Sequence, residues 1–266
     1  MISISNTKMI DLVEDYIGSR RKLGFAINTQ AKELLLFARY CDASGYREPI
    51  TCDLAIQWAK LPQKADPIYW AMRLDIVRRF ARYRAIFEPK TEIPPQGILG
   101  PSKRRPAPYI YSEDEIGHIL HTASNLKPTT GLKPHTYVTL FGLLLCTGMR
   151  ISEALRLSIE NIDFEHGIIT IEQTKFNKSR MIPIHSSTVK MMQKYWEKRR
   201  KYCMSTYKNF FINDNGIPIN YQMTLWVFKK IRNKLGWEKT KNRNYPKIHS
   251  FRYPNLNKIQ TFFITA

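Results

Sequence analysis

Acidic residues are the scarce class in this 266-residue chain, where 22 Asp and Glu stand against 42 Lys and Arg for a formal charge of +20. An imbalance of that size makes a polyanion the natural partner. Long apolar runs are also lacking. The longest candidate, "YVTLFGLLLC" at 137 to 146, has the length of a buried core helix and falls short of the ~20 residues that cross a bilayer. Nucleic acid is therefore favoured over lipid as the partner, and no membrane association is expected. The opening "MISISNTKMIDLVEDY" has no charged leader ahead of an apolar block, so no signal peptide is read. A cytoplasmic, nucleoid-associated protein of bacterial type is expected. Cysteine is sparse: Cys41, Cys52, Cys146 and Cys203 are scattered with no CxxC pair, which argues against a disulfide framework or a zinc site and for reduced core thiols. His118 and His121 lie one helical turn apart, but no third and fourth ligand accompanies them, so no metal is expected.

What is present is the composition of a folded protein, 43% hydrophobic and 12% aromatic, in a chain long enough for one large domain or two ordinary ones. Residues 1 to 87 read as helices. Ile10, Val13 and Ile17 mark one apolar face; Leu34, Leu35, Phe37 and Tyr40 mark another; Thr51 can cap a short third helix carrying Leu54 and Trp58. In "YWAMRLDIVRRFARYRAIF", Trp70, Leu74, Val77 and Ala81 recur at helical spacing while Arg73, Arg78, Arg79, Arg82 and Arg84 spread over the remaining surface. A solvated face with Asp75 pairing one arginine is one reading. Five arginines against one acid favour phosphate contact.

The texture changes at "EPKTEIPPQGILGPSKRRPAP" (88 to 108), which holds six of the fifteen prolines and reads as a linker. Its Lys103, Arg104 and Arg105 either follow a nucleic-acid backbone or simply keep a hinge soluble. A second domain opens at "YSEDEIGHIL", where Ser112 and Glu115 fit a capping box. The segment 137 to 146 predicts a helix interrupted by Thr147-Gly148, after which "RISEALRL" resumes helical spacing, so Arg150 falls at a helix start. "IITIEQ" (168 to 173) and "RMIPI" (180 to 184) read as extended runs of a small hairpin or meander with Lys175 at its tip. Further helices are expected between Ser187 and Gly236, and "IHSFR" is expected to begin another. The fold class is mainly α with a small β-hairpin or meander.

Taken in order, "CTGMRISEAL", "EQTKFNKSRMIPI" and "HSFR" resemble the tyrosine recombinase (phage integrase) family over most of the chain. Each residue alone has a plainer reading: Arg150 as a surface cation, Lys175 as a solubilising tip, His249 as a polar residue near a core. The resemblance implies a helical, SAM-like core-binding domain at 1–87, a basic linker at 88–108 and an α+β catalytic domain at 109–266 that is C-terminally incomplete. It also implies that the two domains close on double-stranded DNA. Arg150 and Arg252 match the family's two arginines, which stabilise charge growing on the non-bridging oxygens as a DNA strand is broken. Lys175 matches the hairpin lysine that protonates the leaving 5′ oxygen, His249 a position that assists proton transfer or holds phosphate, and Glu153 an acid that orients the arginine. No cofactor is implied, because a phosphotyrosyl bond conserves the energy of the broken phosphodiester.

The family pattern is lost after Arg252. Tyr253 and Pro254 follow directly, the proline disfavours helical geometry at Tyr253, and no later tyrosine occurs in the 266 residues. The expectation is a recombinase by descent that binds DNA but lacks its own nucleophile, as a truncating frameshift would produce, acting as a homo-oligomer or beside an intact recombinase. The alternative is a non-catalytic regulator or competitor at recombination sites; a general RNA or DNA binder is a third reading.

Overall fold

Apolar residues at helical spacing carry the first unit. In the computed structural model, residues 7–46, 49–103, 108–172, 179–202, 207–237 and 245–252 are described, and the chain divides into two compact units, Met1–Arg105 and Pro106–Ala266. The first holds four helices: α1 (Met9–Lys22), α2 (Asn28–Ala43), α3 (Cys52–Lys60) and α4 (Pro67–Arg84). Val13 and Ile17 of α1, Leu34 and Phe37 of α2, Trp58 of α3 and Val77 and Phe80 of α4 form one buried cluster. Local chemistry sets the helix starts. Thr51 Oγ1 accepts the Leu54 amide at 3.2 Å; Asp66 accepts the Ile68 amide at 2.9 Å, with Pro67 at the first helical position, where its missing N–H costs nothing.

The described residues 88–103 of the proline-rich stretch lie along this first unit. The Glu92 amide donates to the Ile50 carbonyl at 2.8 Å, a Glu92 carboxylate oxygen accepts the Cys52 amide at 2.7 Å, and Leu99 packs on the helical core. A chain with few hydrogen-bond donors of its own is thus pinned by the ends of neighbouring elements.

The second unit contains α5 (Glu113–Ser124), α6 (Lys133–Thr147), α7 (Ile151–Arg156), strands β1 (Ile162–Asp163), β2 (Ile168–Ile171) and β3 (Arg180–Pro183), then α8 (Ser186–Tyr202), α9 (Tyr221–Lys234) and a 3-10 turn at Ile248–Arg252. The capping box expected at Ser112 and Glu115 forms in both directions. Helix α6 is apolar on nearly every side, and Leu140, Phe141, Leu143, Leu144 and Leu145 are all buried, as befits the central helix of a domain. The three strands form an antiparallel meander in the order β1-β2-β3. Its register sets Ile162 opposite Ile169 and Ile171 opposite Arg180. Alternation turns Ile169 and Ile171 into the core and leaves Arg180 half-buried at the start of β3. The "IHSFR" segment forms a single 3-10 turn among the described residues, where a longer helix was expected, and residues beyond 252 lie outside the description.

Candidate active site

A glycine turn presents Arg150. Helix α6 ends at Gly148, whose φ of 61° is left-handed, a conformation that costs a residue with a Cβ about 1–2 kcal/mol. Two residues later Arg150 occupies the N-cap position of α7 in extended geometry. No side-chain oxygen is available there, so Glu153 supplies it from the third helical position. One of its oxygens accepts the Arg150 amide at 2.7 Å and the other accepts Arg150 Nη1 at 2.8 Å.

Arg180, which the sequence did not single out, completes this arrangement. Its Nη1 and Nη2 donate to the two oxygens of Glu153 at 3.1 and 2.7 Å. Glu153 is 4% exposed, whereas the side chains of Arg150 and Arg180 are 41% and 38% exposed. A buried carboxylate therefore holds two guanidiniums whose outer edges face solvent. Burial alone would push its carboxyl up. The hydrogen bonds from Arg180 and from the amide and guanidinium of Arg150 outweigh burial and lower it to about 2. The sequence signal for Arg180 was only its place as the first residue of an extended run, opposite the end of β2.

Arg252 reaches the same turn from the other end of the domain. Its Nε donates to the Gly148 carbonyl at 3.0 Å. The segment that carries it is fixed from several sides: Tyr111 Oη donates to the Lys247 carbonyl at 3.0 Å, Arg232 Nη1 donates to the Pro246 carbonyl at 3.0 Å, and Phe251 is fully buried against Tyr111, Phe141 and Phe228. His249 lies on this turn with its side chain exposed. Arg150, Glu153 and Arg252 thus meet around one turn, with Arg180 added. Lys175, Arg104 and Arg105 lie outside the described residues.

In the first unit, Arg78, Arg79, Arg82 and Lys103 line one cleft of about 520 Å³ between α4 and the chain at 95–103. Asp75 pairs with Arg79 at 2.6 Å and more loosely with Arg78 at 3.7 Å, while Arg82 is exposed. Arg73 is a correction. It was expected on the phosphate-facing surface, yet it is 5% exposed, stacks 3.8 Å over the Trp58 ring and pairs with Glu33 at 3.4 Å. Position 73 lies three residues after Trp70 and four before Val77, inside the apolar stripe, so helix geometry carries it inward. Burial lowers its pKa, opposed by Glu33.

The second unit gathers arginines around a buried acid beside a small antiparallel sheet, and comparison with known proteins gives the class to which such a chain belongs. Residues 110–255 match the model of the phage integrase family. The chain is 35% identical over 246 residues to the putative integrase/recombinase y4rB of Sinorhizobium fredii, covering 91% of this chain and 78% of that protein. It is 32% identical over 187 residues to y4rE, also a putative integrase/recombinase of that organism, covering 70% of this chain and 60% of the relative. Among solved structures, the integrase of transposon Tn1549 in complex with transposon right-end DNA superposes with a TM-score of 0.66 at 16% identity, over 91% of this chain and 84% of that one. The chain belongs to the phage integrase family, the tyrosine recombinases of site-specific DNA recombination. No helix among the described residues is long and apolar enough to cross a membrane.

Proposed function

We infer that this chain binds double-stranded DNA and holds one phosphoryl group between Arg150 and Arg252. The observation that carries this reading is the shared turn: Arg252 is hydrogen-bonded to the carbonyl of Gly148, two residues before Arg150. Two planar cations, one carried just beyond this turn and the other bonded to it, suit the charge that develops on a phosphodiester under attack. Lys175 is proposed as the acid for the leaving oxygen and His249 as an assisting group, on the strength of the family pattern. In the first unit, Arg78, Arg79, Arg82 and Lys103 contact the DNA backbone, with Arg104 and Arg105 continuing the run. The relatives' names support an integrase or recombinase, and the similar transposon integrase supports one of a mobile element; the chain is proposed to act on DNA as a homo-oligomer or beside an intact recombinase.

The nucleophilic tyrosine is proposed to be absent from these 266 residues, because no tyrosine follows Tyr253 in them and Tyr253 stands directly beside Arg252 and before Pro254. The same observation favours a second reading, a non-catalytic occupant of recombination sites that competes with an intact relative. DNA selected from a random pool, then rebuilt as a suicide substrate, tests these readings. Recombinase ancestry predicts selection of paired inverted sites, weakened by Arg150→Ala, with no covalent adduct. A trapped 3′ phosphotyrosine would refute the missing nucleophile. Cleavage restored by mixing with an intact relative would favour the recombinase over the competitor. Absence of any site preference would sink both.

A further inference from the structure

Glu153 is a liability as well as a support. A carboxylate aims Arg150, but a lone carboxylate also cancels the charge it aims. Arg150 and Glu153 alone would present a neutral pair to an incoming phosphodiester. The four contacts on Glu153 resolve this: each oxygen accepts once from Arg150 and once from Arg180, at 2.7 to 3.1 Å. Two guanidiniums on one carboxylate leave a net single positive charge. Of its five guanidinium N–H donors, Arg150 spends one on Glu153 among the described residues.

We propose that Arg180 is a positioning and charge-balancing residue that neutralises Glu153, so that the buried carboxylate orients Arg150 without cancelling its charge toward a phosphoryl group. The proposal rests on the phosphoryl-binding reading of Arg150 and Arg252. The sheet register supports it: Arg180 pairs with Ile171 at the last described rung of β2 and β3. The contact to Glu153 therefore ties one end of the connection containing Lys175 to the start of α7. An arginine suits this task better than a lysine, because its planar fork meets both carboxylate oxygens at once.

Calorimetric titration with inorganic sulfate, whose charge stays constant from pH 3 to 8, is the test. The portion of binding lost in Arg150→Ala defines the site. Arg180→Gln is expected to weaken that portion about tenfold, as loss of one unit charge at ~6 Å from a dianion does in a dielectric of ~80. Adding Glu153→Gln to Arg180→Gln removes the uncompensated carboxylate and is expected to restore affinity to within about threefold of wild type. In Arg180→Gln alone, affinity is expected to recover as pH falls through the ordinary carboxyl range near ~4.3, where Glu153 protonates.

A double variant no tighter than Arg180→Gln, or a flat pH profile for Arg180→Gln, would overturn the proposal and leave Arg180 as a direct anion contact or a packing residue. If Arg180→Gln does not fold, the double variant and Arg180→Lys carry the test. Affinity within about threefold of wild type in the double variant supports charge balancing, and a loss of tenfold or more refutes it. If Arg150→Ala leaves sulfate binding unchanged, the phosphoryl site itself falls, and this proposal with it. If Arg150→Ala weakens binding and Arg180→Gln does not, only the role of Arg180 falls.

Discussion

The guanidinium of Arg252 hydrogen-bonds the carbonyl of Gly148 at 3.0 Å, across 104 positions of sequence. The bond joins the last described turn of the chain to the residue that stops α6 and aims Arg150. Gly148 is suited to that place by its left-handed backbone; among the described residues a Cβ built there would meet only the Arg252 carbonyl oxygen at 3.7 Å, an ordinary contact. Gly148→Ala is therefore expected to cost about 1–2 kcal/mol through backbone strain alone. Gly148→Asn should cost less, because asparagine tolerates this region better. Thermal unfolding checks the order, and an alanine variant as stable as wild type would show that the turn relaxes freely.

Glu153 makes stability depend on pH with a defined sign. Its carboxyl is held at about 2 in the folded protein, against ~4.3 in an unfolded chain. The contribution is fully present above the unfolded value and is lost as pH falls from ~4.3 towards 2. Its size is about 2–3 kcal/mol. Urea unfolding of wild type and Glu153→Gln at pH 7, 4 and 3 is the measurement. Wild type should be the more stable at pH 7, with a gap that narrows on acidification. A gap independent of pH would mean that the carboxylate does not carry the interaction.

Features encoded locally were the ones legible in the sequence. Thr51 and the Ser112–Glu115 pair cap their helices as their spacing predicts, and the apolar run at 137 to 146 became the central helix because no face of it can be left in water. The interruption at Thr147-Gly148 was legible as a glycine between two periodic stretches, and the structure adds its left-handed backbone. What the sequence concealed depends on contacts across the fold. Strand β1 has two residues, too few for any periodicity. Arg180 matters only because β3 brings it to Glu153, 27 positions away. Arg73 shows the opposite error. Its charge suggested surface, but its position in the helical stripe, with Trp58 and Glu33 waiting inside, decided the outcome.

Arg73 and Arg82 lie on one helix and should separate cleanly. Arg73→Met removes the ion pair with Glu33, leaving that carboxylate only the Tyr69 hydroxyl at 2.9 Å, and removes the stack on Trp58, with an expected cost of about 2–3 kcal/mol in unfolding free energy. The salt dependence of DNA binding should not change. Arg82→Ala should alter stability by less than about 0.5 kcal/mol and reduce the slope of log affinity against log salt by about 1. Guanidinium unfolding and filter binding at several salt concentrations give both numbers. A reduced slope in Arg73→Met would place that side chain on the DNA after all.

Phe251 couples the integrity of the core to the placement of Arg252 and His249. It is fully buried, with ring contacts to Tyr111, Phe141 and Phe228 at 5.1 to 5.6 Å. Phe251→Ala is expected to cost about 3–5 kcal/mol through the cavity it leaves, and much of the domain's margin with it. Tyr111→Phe is the gentler probe: it keeps the ring and deletes only the hydrogen bond to the Lys247 carbonyl, at a cost of about 1 kcal/mol. If that bond holds the segment in register, Tyr111→Phe should speed amide hydrogen exchange at 248–252 while leaving α6 unchanged. Exchange accelerated equally in both places would mean that the 3-10 turn opens only with the whole domain.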